Sequence, residues 1–215
     1  MYKRQLHDGS LWTTEGDQLV RWNAEGTKAT VAPLTHPITV LQANDDGLWA
    51  LAPTNDHTTV LNLDALNGTV RRRWQIAGSV NSLHLVDEQA YLYGSDETLT
   101  LLSPMREEPL LSTPIVGLNR APAPLAAGNM VWIVQSTTNS VTVLAQQSGQ
   151  IIHDSLFACE NPIQPAFDGA NVWLLCNGLA ASQQQVIALP NNLLYVGEDV
   201  VPHLTPSSQP LRLNR

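Results

Sequence analysis

The feature that most constrains this chain is a repeat. An apolar residue followed by an aromatic one recurs as Leu11-Trp12, Leu48-Trp49, Ala90-Tyr91, Val131-Trp132 and Val172-Trp173, with the aromatics 37, 42, 41 and 41 residues apart. A turn precedes each pair: Asp8-Gly9-Ser10, Asp45-Asp46-Gly47, Asp87-Glu88-Gln89, Ala127-Gly128-Asn129 and Asp168-Gly169-Ala170-Asn171. After each pair come a polar gap and a β-rich run: Gln18–Trp22, Thr58–Leu63, Thr98–Leu102, Ser140–Leu144 and Gln185–Leu189. A second turn, as in Asn67-Gly68 or Ser148-Gly149, leads to a further strand such as Thr69–Ile76.

Asp, Asn and Gly supply the positive φ of tight hairpins. No unit sustains a helical period. Each unit therefore reads as four short antiparallel strands, A to D. Four strands in about 40 residues is the pattern of a β-propeller blade. One blade alone cannot bury both faces, whereas radial stacking of blades does, which accounts for B strands that are apolar without clean alternation. The repeated aromatic is expected to fill the space between blades. Its competing role is a ring of ligand-stacking side chains. The expected fold is all-β, a β-propeller of about five four-stranded blades near residues 6–34, 37–76, 80–115, 121–157 and 162–200.

The two ends of the repeat admit two readings. The first unit shows no A strand and enters at His7-Asp8-Gly9-Ser10. The fifth D strand is expected near 193–200, and residues 209–215 resemble the A strands Pro37–Leu41, Val80–Leu85 and Pro162–Phe167. In the first reading, Leu211–Arg215 pairs with Leu11–Thr14 and closes a five-bladed ring, removing exposed sheet edges. In the second, Met1-Tyr-Lys-Arg-Gln5 resembles sequencing adapter translated at the end of a metagenomic fragment. Residues 1–5 are then a non-native or disordered leader, and the chain is a fragment of a six- to eight-bladed ring.

Composition narrows the partners. Apolar residues are 43% and charged residues 14%, enough to build a large core. No run approaches the roughly 20 apolar residues of a membrane span, and no secretory signal opens the chain. A net charge of −8, with 19 acidic against 11 basic residues, argues against nucleic acid. The basic run Arg71-Arg72-Arg73 reads as an exposed outer strand. Two cysteines rule out a disulfide scaffold and a four-cysteine zinc site. Pairing about the Asp168–Asn171 turn sets Ile163 opposite Cys176, leaving Cys159 just beyond the register. Either the loop folds back to form a bridge or both are buried thiols. Asn67-Gly-Thr69 is a glycosylation sequon that reads first as a turn.

Asn129–Leu144 followed by Ser148-Gly-Gln-Ile-Ile152 resembles the repeat unit of the YVTN/YncE-like propellers, and Pro165–Trp173 resembles the opening of their blades. Asp8-Gly-Ser-Leu-Trp12 is also similar to virginiamycin-B-lyase-like propellers. The chain departs from the first family at the C–D turns, which read Ala24-Glu-Gly26 and Gln147-Ser-Gly149 in place of Thr-Gly. The resemblance implies the fold and an extracytoplasmic setting. Its motifs are structural and are shared by binding modules, lyases and lactonases.

Propeller ligands usually sit over the central channel, where the D–A and B–C loops meet. Here those loops supply His36, Asp56, His57, Asn81, Asp96, Glu97, Asn119, Arg120, Glu160, Asn161 and His203. The candidate ligand-binding residues are His36, His57, Asn81, Asn119, Arg120, Glu160, Asn161 and His203. Arg120 could offer its guanidinium to an anionic ligand or be an ordinary loop arginine. A ring of His36, His57 and His203 is conceivable as a metal site, but no close histidine pair supports one, so no metal or cofactor is expected. Asp45-Asp46 and Asp87-Glu88 read as turn residues rather than calcium ligands. There is no G-x-S-x-G, phosphate-binding or dinucleotide motif, and no catalytic residue is assigned. The expected function is a non-catalytic binding or scaffold propeller for a polypeptide or small ligand. The alternative is a propeller enzyme of the lyase or lactonase type.

Overall fold

The computed structural model describes residues 3–5, 10–15, 18–34, 36–44, 47–118, 121–177 and 184–190. These form five antiparallel sheets, each laid down as a meander in chain order. Blade 1 holds β1 (Lys3–Gln5), β2 (Leu11–Glu15), β3 (Gln18–Trp22) and β4 (Lys28–Pro33). Blade 2 holds β5 (Val40–Asn44), β6 (Gly47–Pro53), β7 (His57–Leu63) and β8 (Val70–Ala77). Blade 3 holds β9 (Val80–Val86), β10 (Gln89–Gly94), β11 (Thr98–Leu102) and β12 (Leu111–Pro114). Blade 4 holds β13 (Leu125–Ala127), β14 (Met130–Gln135), β15 (Ser140–Ala145) and β16 (Ile151–Phe157). Blade 5 shows β17 (Pro162–Phe167), β18 (Asn171–Asn177) and β19 (Gln184–Pro190). The expected fifth D strand, at 193–200, and the expected closing strand, at 209–215, lie outside the described residues.

One expectation about the first blade is corrected. Its A strand is present: β1 pairs with β2, with Lys3 opposite Thr13 and Gln5 opposite Leu11. The backbone edge of Leu11–Thr13 is therefore already occupied. A sequence reading misses a strand this short because three polar residues carry no alternation.

The core lies between blades rather than within them. Each blade turns a forward face toward the next, and the repeated aromatic sits on it. Trp12 packs with Leu41, Leu48 and Ala50 of blade 2. Trp49 packs with Leu83, Ala90 and Leu92 of blade 3. Tyr91 packs with Val131 and Ile133 of blade 4, and Trp132 with Val172, Leu174 and Leu189 of blade 5. All four rings are buried. A fully buried large side chain contributes about 1.5–3 kcal/mol over an exposed one, so this series of aromatics is a main source of the ring's cohesion. Trp173 differs. It was expected to be buried like the others, yet it is 37% exposed. It lies on the forward face of the last described blade, with no further described sheet in front of it.

The C–D turns lock these interfaces. In blade 2 the turn folds back over blade 1, and Ala65 accepts a hydrogen bond from Trp12 Nε1 at 3.0 Å. Gly68, at φ +72°, sits so close to this ring that an added Cβ would lie 2.9 Å from it. Gly149 of blade 4 (φ +71°) repeats the arrangement over Leu101 of blade 3, at 2.6 Å. Both positions need glycine twice over, for the left-handed backbone and for the missing side chain. Between blades 2 and 3, Trp49 and Trp74 stack with centroids 5.4 Å apart.

The arginine run falls on β8, an outermost strand, as its sequence suggests. Arg71 bonds Asp64 in its own C–D turn. Arg72 reaches the neighbouring blade, donating to Pro104 O at 3.2 Å and to Glu107 at 3.0 Å.

Candidate functional site

Among the described residues, the end of a blade's second strand and the end of its fourth lie at the same end of the sheet, because the strands of each blade alternate in direction, so B–C loops and D–A crossovers share one face. The best-defined part of this face lies between blades 4 and 5. Asn139, in the B–C loop of blade 4, adopts φ 58°, and Asn161, in the crossover to blade 5, adopts φ 47°. Asparagine tolerates this left-handed conformation better than most residues. The two residues are directly joined: Asn161 N donates to Asn139 Oδ1 at 2.7 Å, and Ala158 N donates to Asn139 O at 2.9 Å. Asn161 then reaches the end of β18, accepting from Asn177 N at 3.0 Å and donating its side-chain amide to Asn177 O at 3.3 Å. Ser136 Oγ donates to Pro162 O.

Beneath this lacing Cys159 and Cys176 form a disulfide, with Cα atoms 6.1 Å apart. The alternative of two thiols is thereby excluded. The register differs from the expected one by a residue: Pro162, not Ile163, lies opposite Cys176, and the ladder is irregular between Pro162 and Gln164. That irregularity releases Ile163 from the ladder, and the crossover folds back so that Cys159 meets Cys176. Both sulfurs belong to the core cluster around Trp132. Three apolar residues in or beside the crossovers at this end of blades 3 to 5 are exposed: Val116 after β12, Phe157 at the end of β16 and Ile163 near the start of β17, at 65%, 61% and 38%.

The candidate residues distribute as follows. Glu160 is exposed beside Asn161 in the laced crossover. His36 is exposed in the crossover from β4 to β5. His57 is half-buried at the start of β7, its Nδ1 3.1 Å from Thr54 Oγ1. Asn81 is exposed on the inner strand β9. Asp56 and Asp96 are exposed in B–C turns, and Asp96 Oδ1 accepts from Thr98 N at 3.1 Å. Asn119, Arg120 and His203 lie outside the described residues. Of the set, the fold joins Glu160 and Asn161 in one built surface. It leaves His36 in the crossover into blade 2 and His57 after the B–C turn of that blade, and among the described residues no group of three His, Cys, Asp or Glu side chains could hold a metal ion.

Sequence reasoning passed over one pair. On the inner strand β9, Ser82 Oγ and His84 Nε2 are 3.1 Å apart, and the His84 ring lies 4.9 Å from that of Tyr93. Burial holds the His84 pKa below its usual value, which favours a neutral imidazole. Tyr93 is pushed up, first by burial and then by Tyr91, and donates its hydroxyl to Pro122 O at 3.3 Å. The period-two spacing of Ser82 and His84 was the available signal, since it sets both on one side of a strand.

No known family's sequence profile matches the chain, and no curated protein matches it by sequence. Solved structures do match in fold. A computationally designed protein, Ika8, is 18% identical with a TM-score of 0.58, covering 86% of this chain and 57% of its own. Hsv2p of Kluyveromyces lactis is 10% identical with a TM-score of 0.58, covering 91% and 65%. A catalytically inactive virginiamycin B lyase from Staphylococcus aureus, solved with quinupristin, is 16% identical with a TM-score of 0.53, covering 80% and 61%. The chain thus spans less than two thirds of each of these structures. With its repeated four-stranded sheets, the likeness defines the class: the protein is an all-β propeller of about five blades. Among the described residues no helix is long and apolar enough to cross a membrane.

Proposed function

We propose that this propeller is a non-catalytic binding or scaffold module that takes a polypeptide on the face formed by its D–A and B–C loops. The carrying observation is the laced surface between blades 4 and 5. There Asn139, Asn161 and the disulfide hold the backbone, while Phe157 and Ile163 stand exposed beside them. A preorganised surface with exposed aromatic and aliphatic anchors suits peptide recognition, because little ordering remains to oppose binding. The module belongs with YVTN/YncE-like propellers on the phrasing of its fourth and fifth units. Its disulfide fits an oxidising, extracytoplasmic compartment. Its acidic balance disfavours nucleic acid.

Selection of a displayed peptide library on the purified chain tests this reading. Peptides are expected to be retained, and Phe157→Asp with Ile163→Asp to abolish their binding while Arg73→Asp, on the outer strand, leaves it intact. Retained binding in the Phe157/Ile163 variant would place the site elsewhere.

The second reading, a propeller enzyme of the lyase or lactonase type, starts from Ser82 and His84. A hydroxyl bonded to a neutral imidazole is the first element of an activated nucleophile. Labelling of Ser82 by a fluorophosphonate, lost in His84→Gln, would favour this reading over the first.

A further inference from the structure

The C–D turn of blade 2 carries an Asn-Gly pair where it locks onto blade 1. Asn67 is exposed, while Gly68, next along the chain, is buried against Trp12. The turn is hydrogen-bonded throughout. Asp64 O accepts from Gly68 N at 2.9 Å, and Asp64 N donates to Thr69 O at 2.8 Å. Asp64 Oδ1 accepts from Leu66 N at 2.8 Å and from Asn67 N at 3.1 Å, and its other carboxylate oxygen pairs with Arg71. Asn67 Oδ1 accepts from Thr69 N at 2.9 Å.

An asparagine followed by glycine carries a reaction of its own, because a residue without a side chain leaves its amide nitrogen unhindered. Gly68 N can attack Asn67 Cγ. The N–Cγ bond forms, the Cγ–Nδ2 bond breaks, and ammonia leaves with the amide proton. Water then opens the cyclic succinimide at either carbonyl, giving aspartate or isoaspartate. Isoaspartate lengthens the main chain by a carbon and puts a carboxylate beside it. Water is the sole co-reactant.

The folded turn withholds both reacting groups. The Gly68 N–H is engaged by Asp64 O, and the Asn67 carboxamide is held toward Thr69 N. Gly68 is packed so closely that a Cβ there would lie 2.9 Å from the Trp12 ring and 3.1 Å from Ala32, which leaves its backbone no room to swing toward Asn67 Cγ. The reaction therefore requires the turn to leave Trp12, a local opening of the interface between blades 1 and 2. The similarly locked turn of blade 4 has Ser148 before Gly149 and lacks this chemistry.

We propose that Asn67–Gly68 is a self-modification site gated by the interface between blades 1 and 2: it converts in chains that have opened there, and conversion keeps the turn from closing again. The added carbon moves Gly68 off its seat on Trp12, and the side-chain carbonyl that accepts from Thr69 N becomes part of the main chain.

The test holds the full 215-residue chain at mildly alkaline pH and follows isoaspartate by peptide mass spectrometry, which separates residue 67 from the second Asn-Gly pair at 177–178. A synthetic peptide of residues 64–70 supplies the ungated rate. The folded chain is expected to convert many-fold more slowly than the peptide. Trp12→Phe, which removes the bond to Ala65 O, should convert several-fold faster than the native chain, while Trp132→Phe, at the interface between blades 4 and 5, leaves the rate unchanged. If Trp12→Phe does not fold, Asp64→Ala loosens the turn alone and should raise the rate in the same way. The converted chain, separated by its added charge, should melt below the unconverted one. Conversion as fast as in the peptide overturns the gate, and so does a rate that Trp12→Phe and Asp64→Ala leave unchanged. An equal rise in Trp132→Phe overturns it too, by assigning the reaction to global unfolding. A converted chain that melts like the native one overturns the one-way step.

Discussion

Trp132 and Trp173 occupy the same place in consecutive repeats, each after a valine and each on the forward face of its second strand. Trp132 is fully buried and Trp173 is 37% exposed. Trp132 meets β17, β18 and β19 through Phe167, Val172, Leu174 and Leu189, whereas the Trp173 indole bonds its own turn, donating to Asp168 Oδ2 at 2.7 Å. The lesson is that the repeat determines which face a side chain points to, and the neighbouring blade determines whether that face is dry.

The sharpest way to break this comparison is to truncate both rings. Trp132→Ala should destabilise by about 3–5 kcal/mol, as aromatic truncations in cores do. Trp173→Ala should destabilise by about 1–2 kcal/mol, since much of its surface already meets water. Urea denaturation of both variants measures the difference. Equal losses would mean that the two faces are equally packed.

The disulfide sharpens the interior side, because Cys159 and Cys176 line the same cluster as Trp132. Its loop is short, with a separation of 17 residues, for which chain entropy predicts about 3 kcal/mol. Cys159→Ala with Cys176→Ala should lower the urea midpoint accordingly, and a reducing agent should act on the native protein and not on the double variant. An unchanged midpoint would show that the Asn139–Asn161 lacing holds the crossover unaided.

Glycines extend the contrast to the turns. Gly149→Ala places a Cβ 2.6 Å from Leu101 at φ +71°, whereas Gly169→Ala at φ +99° meets nothing within 4 Å. The first should lose about 2–3 kcal/mol from overpacking and backbone strain together. The second should lose about 1 kcal/mol from strain alone. Thermal melts of the two variants distinguish them, and similar losses would mean that the interior turn yields as readily as the terminal one.

The smallest effects are in the pH profile. The carboxyl of Asp168 is lowered to about 2, first by the backbone N–H of Asn171, then by the Trp173 indole and the N–H of Ala170. A depressed carboxylate pKa stabilises above its ordinary value, near pH 4, and that contribution fades as the pH falls from about 4 to 2. Asp168→Asn should flatten this acid limb. The pKa of His84, lowered by burial, acts in a higher window: its neutral form is the stable one, so stability is retained above about pH 6.5 and declines below it. His84→Gln should remove that step from a plot of melting temperature against pH. Persistence of both steps would assign them to other groups.

Much of the architecture was legible because a blade is a local object. Turn, strand, turn and strand follow one another within about 40 residues, and glycine, asparagine and aspartate mark each reversal. The aromatic at the head of each B strand was legible for the same reason. The site was much less so. Glu160 and Asn161 were visible as loop residues, but Asn139 and Asn177, which build a surface with Asn161, come from a different blade and a different strand. Ser82 and His84 were overlooked because nothing local distinguishes them from any pair on a half-exposed strand.

What the sequence alone determined is the unit: its period, its all-β character, and the side of each strand that carries the large apolar groups. These follow from backbone propensity and period-two geometry, which act over a few residues. What only the tertiary structure decided is everything that depends on which surfaces meet. It joined Cys159 to Cys176 through a one-residue irregularity, gave β1 the edge beside Leu11–Thr13, and left Trp173 exposed where four equivalent rings are buried. The physical reason is that burial belongs to a pair of surfaces, and a repeat specifies only one of them.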